Sequence, residues 1–66
     1  MGRIRRGGYV FEWFIGDHEP KHVHVYDGKG RFLGRFDVRA MRGIGDWRPS
    51  KKLVDLVLEL RQENQL

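Results

Sequence analysis

Residues 22–39, HVHVYDGKGRFLGRFDVR, contain the pattern that decides the fold. Polar and apolar side chains alternate from His22 to Tyr26, which is typical of a strand with one buried face. Asp27-Gly28-Lys29-Gly30 follows, and an Asp-Gly pair between two alternating runs predicts a hairpin turn. Arg31 to Arg39 is therefore predicted to be the antiparallel partner strand, in which Gly34 marks a bulge or a close contact with a helix.

Two further elements flank this hairpin. Tyr9 to Ile15 alternates and is rich in aromatic residues, so it predicts a first strand. Ser50 is a candidate N-cap of a helix that runs to about Gln65. One face of that helix is apolar at helical spacing: Leu53, Leu56, Val57 and Leu60. The expected fold is α+β, a three-stranded antiparallel sheet with one C-terminal helix packed on one face (β-β-β-α). Residues 1–8 are expected to form a flexible basic arm, and residues 9–66 a single small domain.

The pleat of a sheet divides strand residues into two faces, because successive side chains point to opposite sides. The face expected against the helix carries Tyr9, Phe11, Trp13, Ile15, Val23, Val25, Phe32, Phe36 and Val38. The other face is expected to carry Val10, Glu12, Phe14, His22, His24, Tyr26, Arg31, Leu33, Arg35, Asp37 and Arg39. Exposed Val10, Phe14 and Leu33 on so small a domain favour a homodimer or a protein partner.

Composition narrows the classes of function. The 66 residues include no cysteine, which excludes disulfides, cysteine-ligated zinc and thiol nucleophiles. The net charge of +4 favours an acidic partner such as nucleic acid. No apolar run reaches the roughly 18 residues of a membrane span, so no membrane contact is expected and a cytoplasmic location is the default. So short a chain leaves no room for a second domain or for a deep cofactor pocket.

One motif is more specific than the composition. Residues 16–26, GDHEPKHVHVY, resemble the Asp-His-x-Pro-x-His-x-His signature of the small bacterial family called domain of unknown function 4160. The matching positions are Asp17, His18, Pro20, His22 and His24. The order of the other parts is similar over residues 8–64, with a departure in the loop 43–48. The family's members resemble toxin–antitoxin genes. The resemblance therefore implies a cognate small protein from an adjacent gene, and it assigns no catalytic residue.

The predicted open face also carries the residue types of RNA recognition and cleavage. Histidine exchanges protons near neutral pH, and arginine stabilises the charge of a phosphorane. Whether the protein is an enzyme stays open. If it is one, a ribonuclease is favoured, with the candidate catalytic residues His22, His24, Tyr26 and Arg35.

Nucleic-acid contacts are predicted from the basic residues. Arg31, Arg35 and Arg39 recur every four residues and are expected to form one row of phosphate contacts on a strand face. The other expected contacts are Arg3, Arg5 and Arg6 of the arm and Lys29 of the hairpin. The plainer alternative is a solvated face, in which the arginines pair with Glu12 and Asp37 across the strands.

Metal binding is the alternative use of the histidines. His22 and His24 project from one strand face, and His18 or Asp17 lies within reach in the preceding turn, so three ligands for zinc or a similar divalent ion are available. Neighbouring arginines lower the affinity for a cation, so no cofactor is expected. Three functions stay open. The favoured one is a toxin–antitoxin-type protein that binds a cognate partner and acts on or binds RNA. The others are a non-catalytic nucleic-acid-binding domain and a metal-dependent hydrolase that uses the His-x-His motif.

Overall fold

The computed structural model describes residues 2–14 and 21–66 of the chain. Within them a five-stranded antiparallel sheet, with neighbouring strands in chain order, is followed by one helix, so the fold is α+β. The elements are β1 (Gly2–Arg6), β2 (Tyr9–Trp13), β3 (His22–Asp27), β4 (Phe32–Asp37), β5 (Arg42–Ile44) and α1 (Lys51–Gln62). No helix in this part of the chain has the length and the apolar character that crossing a bilayer requires.

The prediction of a three-stranded sheet is wrong, and β1 is one reason. This strand lies within residues 1–8, which were expected to form a flexible basic arm. Gly7 and Gly8 have φ of 61° and 86°, and they form the two-residue turn that pairs Arg6 with Tyr9. Positive φ at both central residues is the geometry of a type I′ hairpin turn, which glycine adopts without a steric penalty. The glycine pair therefore folds the N-terminal segment back onto β2.

Contacts with the helix hold β1 in place. Ile4 packs against the core, and Arg6 reaches two carboxylates of α1 and its C-terminal end. The Arg6 guanidinium donates to both carboxylate oxygens of Glu63, at 2.7 and 3.0 Å, and to Glu59 at 2.9 Å. These hydrogen bonds from Arg6 hold the pKa of Glu63 below its ordinary value. A paired geometry of this kind is the stronger form of an arginine–carboxylate contact.

The second additional strand is β5, at the opposite edge of the sheet. The chain leaves β4 through a turn in which the carboxylate of Asp37 accepts hydrogen bonds from the backbone N–H groups of Arg39 and Ala40, each at 2.9 Å. Met41 has a φ of 59°, a left-handed conformation that turns the chain back. The three residues of β5 then pair with β4, so that Arg42 lies opposite Asp37.

The central hairpin between β3 and β4 is confirmed. The Asp27 carboxylate accepts from the backbone N–H groups of Lys29 and Arg31, and Gly30 has a φ of 85°. The hydrogen bond from the Arg31 backbone is the main reason that the pKa of Asp27 lies below its ordinary value. A short turn followed by a left-handed glycine is a common three-residue hairpin connection.

A bulge in β4 changes which side chains face the helix. Val25 pairs with Gly34, but the next residue of β3, Tyr26, pairs with Phe32, so Leu33 is an extra residue in β4. The extra residue shifts the alternation by one position. Phe32 therefore lies on the face away from the helix, where it is 56% exposed. The prediction that Phe32 lies on the face against the helix, as Phe36 does, is wrong for this reason.

The core lies between the sheet and the helix. The buried cluster consists of Phe11, Val23, Val25, Phe36, Val38, Leu53, Val57 and Leu60. Ser50 is the N-cap as predicted, since its side chain accepts from the backbone N–H of Leu53 at 3.2 Å. The helix ends at Gln62 rather than near Gln65, because Asn64 takes a φ of 62° and Gln65 donates back to the carbonyl of Leu60.

The segment 43–48 runs from β5 toward the helix and covers part of the helix-side face of the sheet. Trp47 packs on the core, and its indole Nε1 donates to the carbonyl of Arg35 at 2.8 Å. The ring lies directly over Gly34, where a Cβ atom would come within 2.5 Å of it. Gly34 therefore marks both a bulge and a close contact, and the contact is with Trp47 rather than with the helix.

Candidate functional site

The sheet face opposite α1 is called here the open face. Residues that pair directly across antiparallel strands point to the same side, so the register assigns the members of each face. In the strands that the structure describes, the open face carries Arg3, Arg5, Val10, Glu12, His22, His24, Tyr26, Phe32, Arg35, Asp37, Arg42 and Ile44. The four predicted catalytic candidates, His22, His24, Tyr26 and Arg35, are thus brought to one surface.

Five rings form an aromatic cluster on the open face: Phe14, His22, His24, Tyr26 and Phe32. His24 is at its centre, with ring-centroid distances of 5.2 Å to His22, 5.5 Å to Phe14 and 6.1 Å to Phe32. Tyr26 extends the cluster, because its ring lies 5.5 Å from that of Phe32. Phe14 is 40% exposed and Phe32 is 56% exposed. Two phenyl rings therefore present free surface to a ligand.

His24 lies between groups of opposite charge. It pairs with Glu12 of β2 on one side and with Arg35 of β4 on the other. Its Nδ1 atom is buried and has no hydrogen-bond partner among the described residues. Catalytic histidines are usually oriented by a hydrogen bond to one ring nitrogen while the other exchanges the proton. The described structure gives His24 packing on three rings but no such orienting hydrogen bond.

Exposed arginines surround the aromatic cluster. Arg35 lies next to it on β4, and Arg42 lies at the β5 edge of the same face. Arg3 and Arg5 lie at the β1 edge. The open face therefore has cations on both sides of its aromatic centre.

The predicted strand row of Arg31, Arg35 and Arg39 is not formed. Of the three, only Arg35 lies within β4. Arg31 precedes the strand, and its Nε donates to the carboxylate of Asp27 at 2.9 Å. Arg39 follows the strand, in the turn that Asp37 holds. The row fails because β4 is shorter than predicted and the bulge changes its alternation.

Two other basic candidates also lie away from the open face. Arg6 points to the helix side, where Glu59 and Glu63 bind it. Lys29 lies in the hairpin turn between β3 and β4. Their predicted contacts with nucleic acid stay predictions, and any such contact would be separate from the aromatic cluster.

A shallow depression lies on the open face near β1. It has a volume of about 180 Å³ and is lined by Arg3, Arg5, Val10, Glu12, Tyr26 and Gly30. Val10 forms its floor and is only 3% exposed. The prediction that Val10 is an exposed apolar residue is therefore wrong, because β1 adds long side chains on one side of it and Tyr26 lies on the other.

The predicted metal site is described only in part. Asp17, His18 and Pro20 lie outside the described residues, and so does Ile15. His22 and His24 share the open face as expected. In residues 2–14 and 21–66, no group of three or more His, Asp or Glu side chains is placed to hold a metal ion.

Sequence reasoning missed several members of the open face. Regular alternation predicts Phe32 on the other face. The bulge that Gly34 indicates is the feature that moves Phe32 to the open face. Arg42 and Ile44 belong to a strand of three residues, which is too short for a periodic pattern to mark it. Arg3 and Arg5 were placed in an arm, although a glycine pair ahead of an alternating run is itself a hairpin signal.

No family model, curated protein or solved structure matches the chain.

Proposed function

We propose that this protein binds single-stranded RNA through its open face and acts as one member of a toxin–antitoxin-type pair. The observation that carries the RNA part is the aromatic cluster, in which two exposed phenyl rings lie among arginines on an uncovered sheet. The pairing with a cognate protein rests on the motif resemblance at Asp17, His18, Pro20, His22 and His24.

Stacking is the contact that this cluster suits best. Unpaired bases stack on aromatic side chains, and each stacked base contributes about 1–3 kcal/mol. Phe14 and Phe32 lie on two sides of His24, so two bases of one strand have separate rings on which to stack. A sheet face with exposed rings is a known way to bind single-stranded RNA, because the bases spread across a flat surface.

The arginines supply the electrostatic part. A phosphate backbone that crosses the aromatic cluster meets Arg35 and Arg42 on one side and Arg3 and Arg5 on the other. Contacts of this kind add affinity without sequence preference and make binding depend on salt. The carboxylates of Glu12 and Asp37 on the same face repel phosphate groups. They disfavour a duplex most, because a duplex brings two phosphate backbones to the face.

Binding is better supported than cleavage. His24 and Arg35 are neighbours on the open face, as a metal-free ribonuclease would need. The described residues do not provide an orienting hydrogen bond to Nδ1 of His24. The packing of three rings around His24 instead makes it part of the stacking surface.

Replacement of Phe32 tests the proposal. We expect Phe32→Ala to weaken binding of a labelled single-stranded RNA by about 5- to 150-fold, the equivalent of one lost stacking contact. Fluorescence anisotropy over a range of salt concentrations would measure it. Arg35→Ala should reduce the slope of log affinity against log salt by about 1.

Leu58→Ala is the matched control, because Leu58 is also a large exposed hydrophobic residue, 44% exposed, but lies on α1. It should bind RNA as the unchanged protein does. Equal affinities of the two variants, or equal binding of the same RNA as a duplex, would refute recognition by the aromatic cluster. If the unchanged protein cleaves the RNA and His24→Ala does not, the protein is a ribonuclease rather than a simple RNA-binding protein.

The toxin–antitoxin part has its own test. Expression of the chain alone should slow growth of the host or require the product of the adjacent reading frame for stable accumulation. Co-expression of that product should relieve the effect and give a complex on co-purification. A chain that accumulates alone without effect, and that brings down no adjacent product, would remove the pairing and leave the RNA-binding proposal standing.

A further inference from the structure

We infer that the depression over Val10 is a binding site for one guanine base. The inference rests on the proposed RNA binding and names the base that the open face recognises. It concerns the end of the sheet between β1 and the β3–β4 hairpin, beside the aromatic cluster.

The shape limits the ligand to one ring system. The volume of about 180 Å³ is smaller than the roughly 300–1,000 Å³ of pockets that enclose a drug-sized molecule. Val10 forms an apolar floor, and the ring of Tyr26 lies next to it on β3. Gly30 lines one end without a side chain, so the depression stays open to a base that is attached to a strand.

The charged groups define which edges such a base must present. Glu12 and Arg3 pair directly across β1 and β2, and Arg5 lies two residues further along β1. Neither Glu12 nor Arg3 forms an ion pair with another of the described residues. A carboxylate only accepts hydrogen bonds and a guanidinium only donates them. The site therefore presents acceptors beside donors.

Guanine matches this arrangement better than the other bases. Its N1–H and N2–H groups are adjacent donors that suit the two oxygens of the Glu12 carboxylate, and its O6 accepts from an arginine. Uracil has one donor between two acceptors, and adenine and cytosine each place one amino group beside an acceptor. A phosphate alone fits less well, because the Glu12 carboxylate repels it.

Base substitution in an oligonucleotide tests the site. We expect an oligouridine with one central guanosine to bind about 5- to 150-fold more tightly than the same oligomer with adenosine, as for one good bidentate base contact. Inosine lacks the 2-amino group and should fall between them. Glu12→Gln should remove the preference for guanosine, while the affinity for plain oligouridine should not fall, because the change takes a negative charge away from the open face.

Asp55→Asn is the matched control, because it removes the same charge from α1, where Asp55 pairs with Lys51 rather than with a residue of β1, and it should keep the preference. Equal affinities for the guanosine and adenosine oligomers would overturn the guanine site, and plain oligouridine binding would then still support the RNA-binding proposal. Absence of binding to every oligomer would instead count against the proposed function.

A titration with free nucleosides tests the site without relying on RNA binding. In two-dimensional NMR spectra of the isotope-labelled protein, guanosine should shift the signals of Val10, Glu12 and Tyr26 more than adenosine does. Unchanged signals, or equal shifts with both nucleosides, would overturn the inference.

Discussion

Phe36→Ala is expected to unfold most of the protein at room temperature. Phe36 is fully buried in the cluster between the sheet and α1. Truncation of a buried phenylalanine costs about 3–5 kcal/mol, through lost transfer free energy and the cavity that is left. A single core in a chain of this size rarely supplies more than about 3–5 kcal/mol in total. Circular dichroism and chemical denaturation would measure the loss, and the milder Phe36→Leu keeps a folded protein in which it can be quantified.

Phe32→Ala is the matched comparison, since it is the same change in the same strand. Phe32 is 56% exposed, and its ring lies against those of His24 and Tyr26 on the open face. We expect its free energy of unfolding to fall by less than about 1 kcal/mol. Equal losses in the two variants would mean that both rings face the helix, and the bulge at Leu33 would then be incorrect. The small loss also lets Phe32→Ala report on RNA binding without interference from unfolding.

Gly34→Ala is expected to have the second large effect. A Cβ atom at this position would lie 2.5 Å from two atoms of the Trp47 indole, and the indole is held by its hydrogen bond to the Arg35 carbonyl. Crowding of this kind costs about 1–3 kcal/mol. The φ of 155° at Gly34 adds backbone strain for any residue with a side chain. Denaturation curves of the purified variant would measure the sum.

Two comparisons separate the crowding from the strain. Gly45→Ala places a Cβ at a φ of 91°, with no atom within 4 Å, so it introduces strain alone and should cost less than Gly34→Ala. Gly34→Ala should also cost less when Trp47 is already alanine than when it is tryptophan. If both comparisons show no difference, the contact between Gly34 and Trp47 does not limit stability.

Much of the architecture follows from local pattern. The alternation in β3 and the Asp27–Gly30 turn predicted the central hairpin, and the spacing from Leu53 to Leu60 predicted the buried face of α1. Ser50 was identified as the N-cap because a serine ahead of an apolar helical stripe has few other roles. Each of these features depends on residues close together in the chain.

Other features depend on partners that are distant in the chain. Residues 2–6 form a strand because Gly7 and Gly8 turn them onto β2, and because Arg6 meets Glu59 and Glu63 more than fifty residues later. Ile4 is the only β-branched residue among them, so their own sequence favours a strand only weakly. The burial of Val10 follows from the same strand.

Local sequence pattern predicts an α+β protein with one uncovered sheet face, and it places His22, His24, Tyr26 and Arg35 on that face. Long-range pairing in the folded chain gives the sheet its five strands, brings Phe32 to the open face and leaves Arg31 and Arg39 off it. Alternation of polar and apolar residues predicts which face of the sheet a side chain lies on only while the strands pair in a regular register. A single extra residue, Leu33, next to the glycine that Trp47 covers, puts Phe32 on the face opposite to the one that alternation predicts.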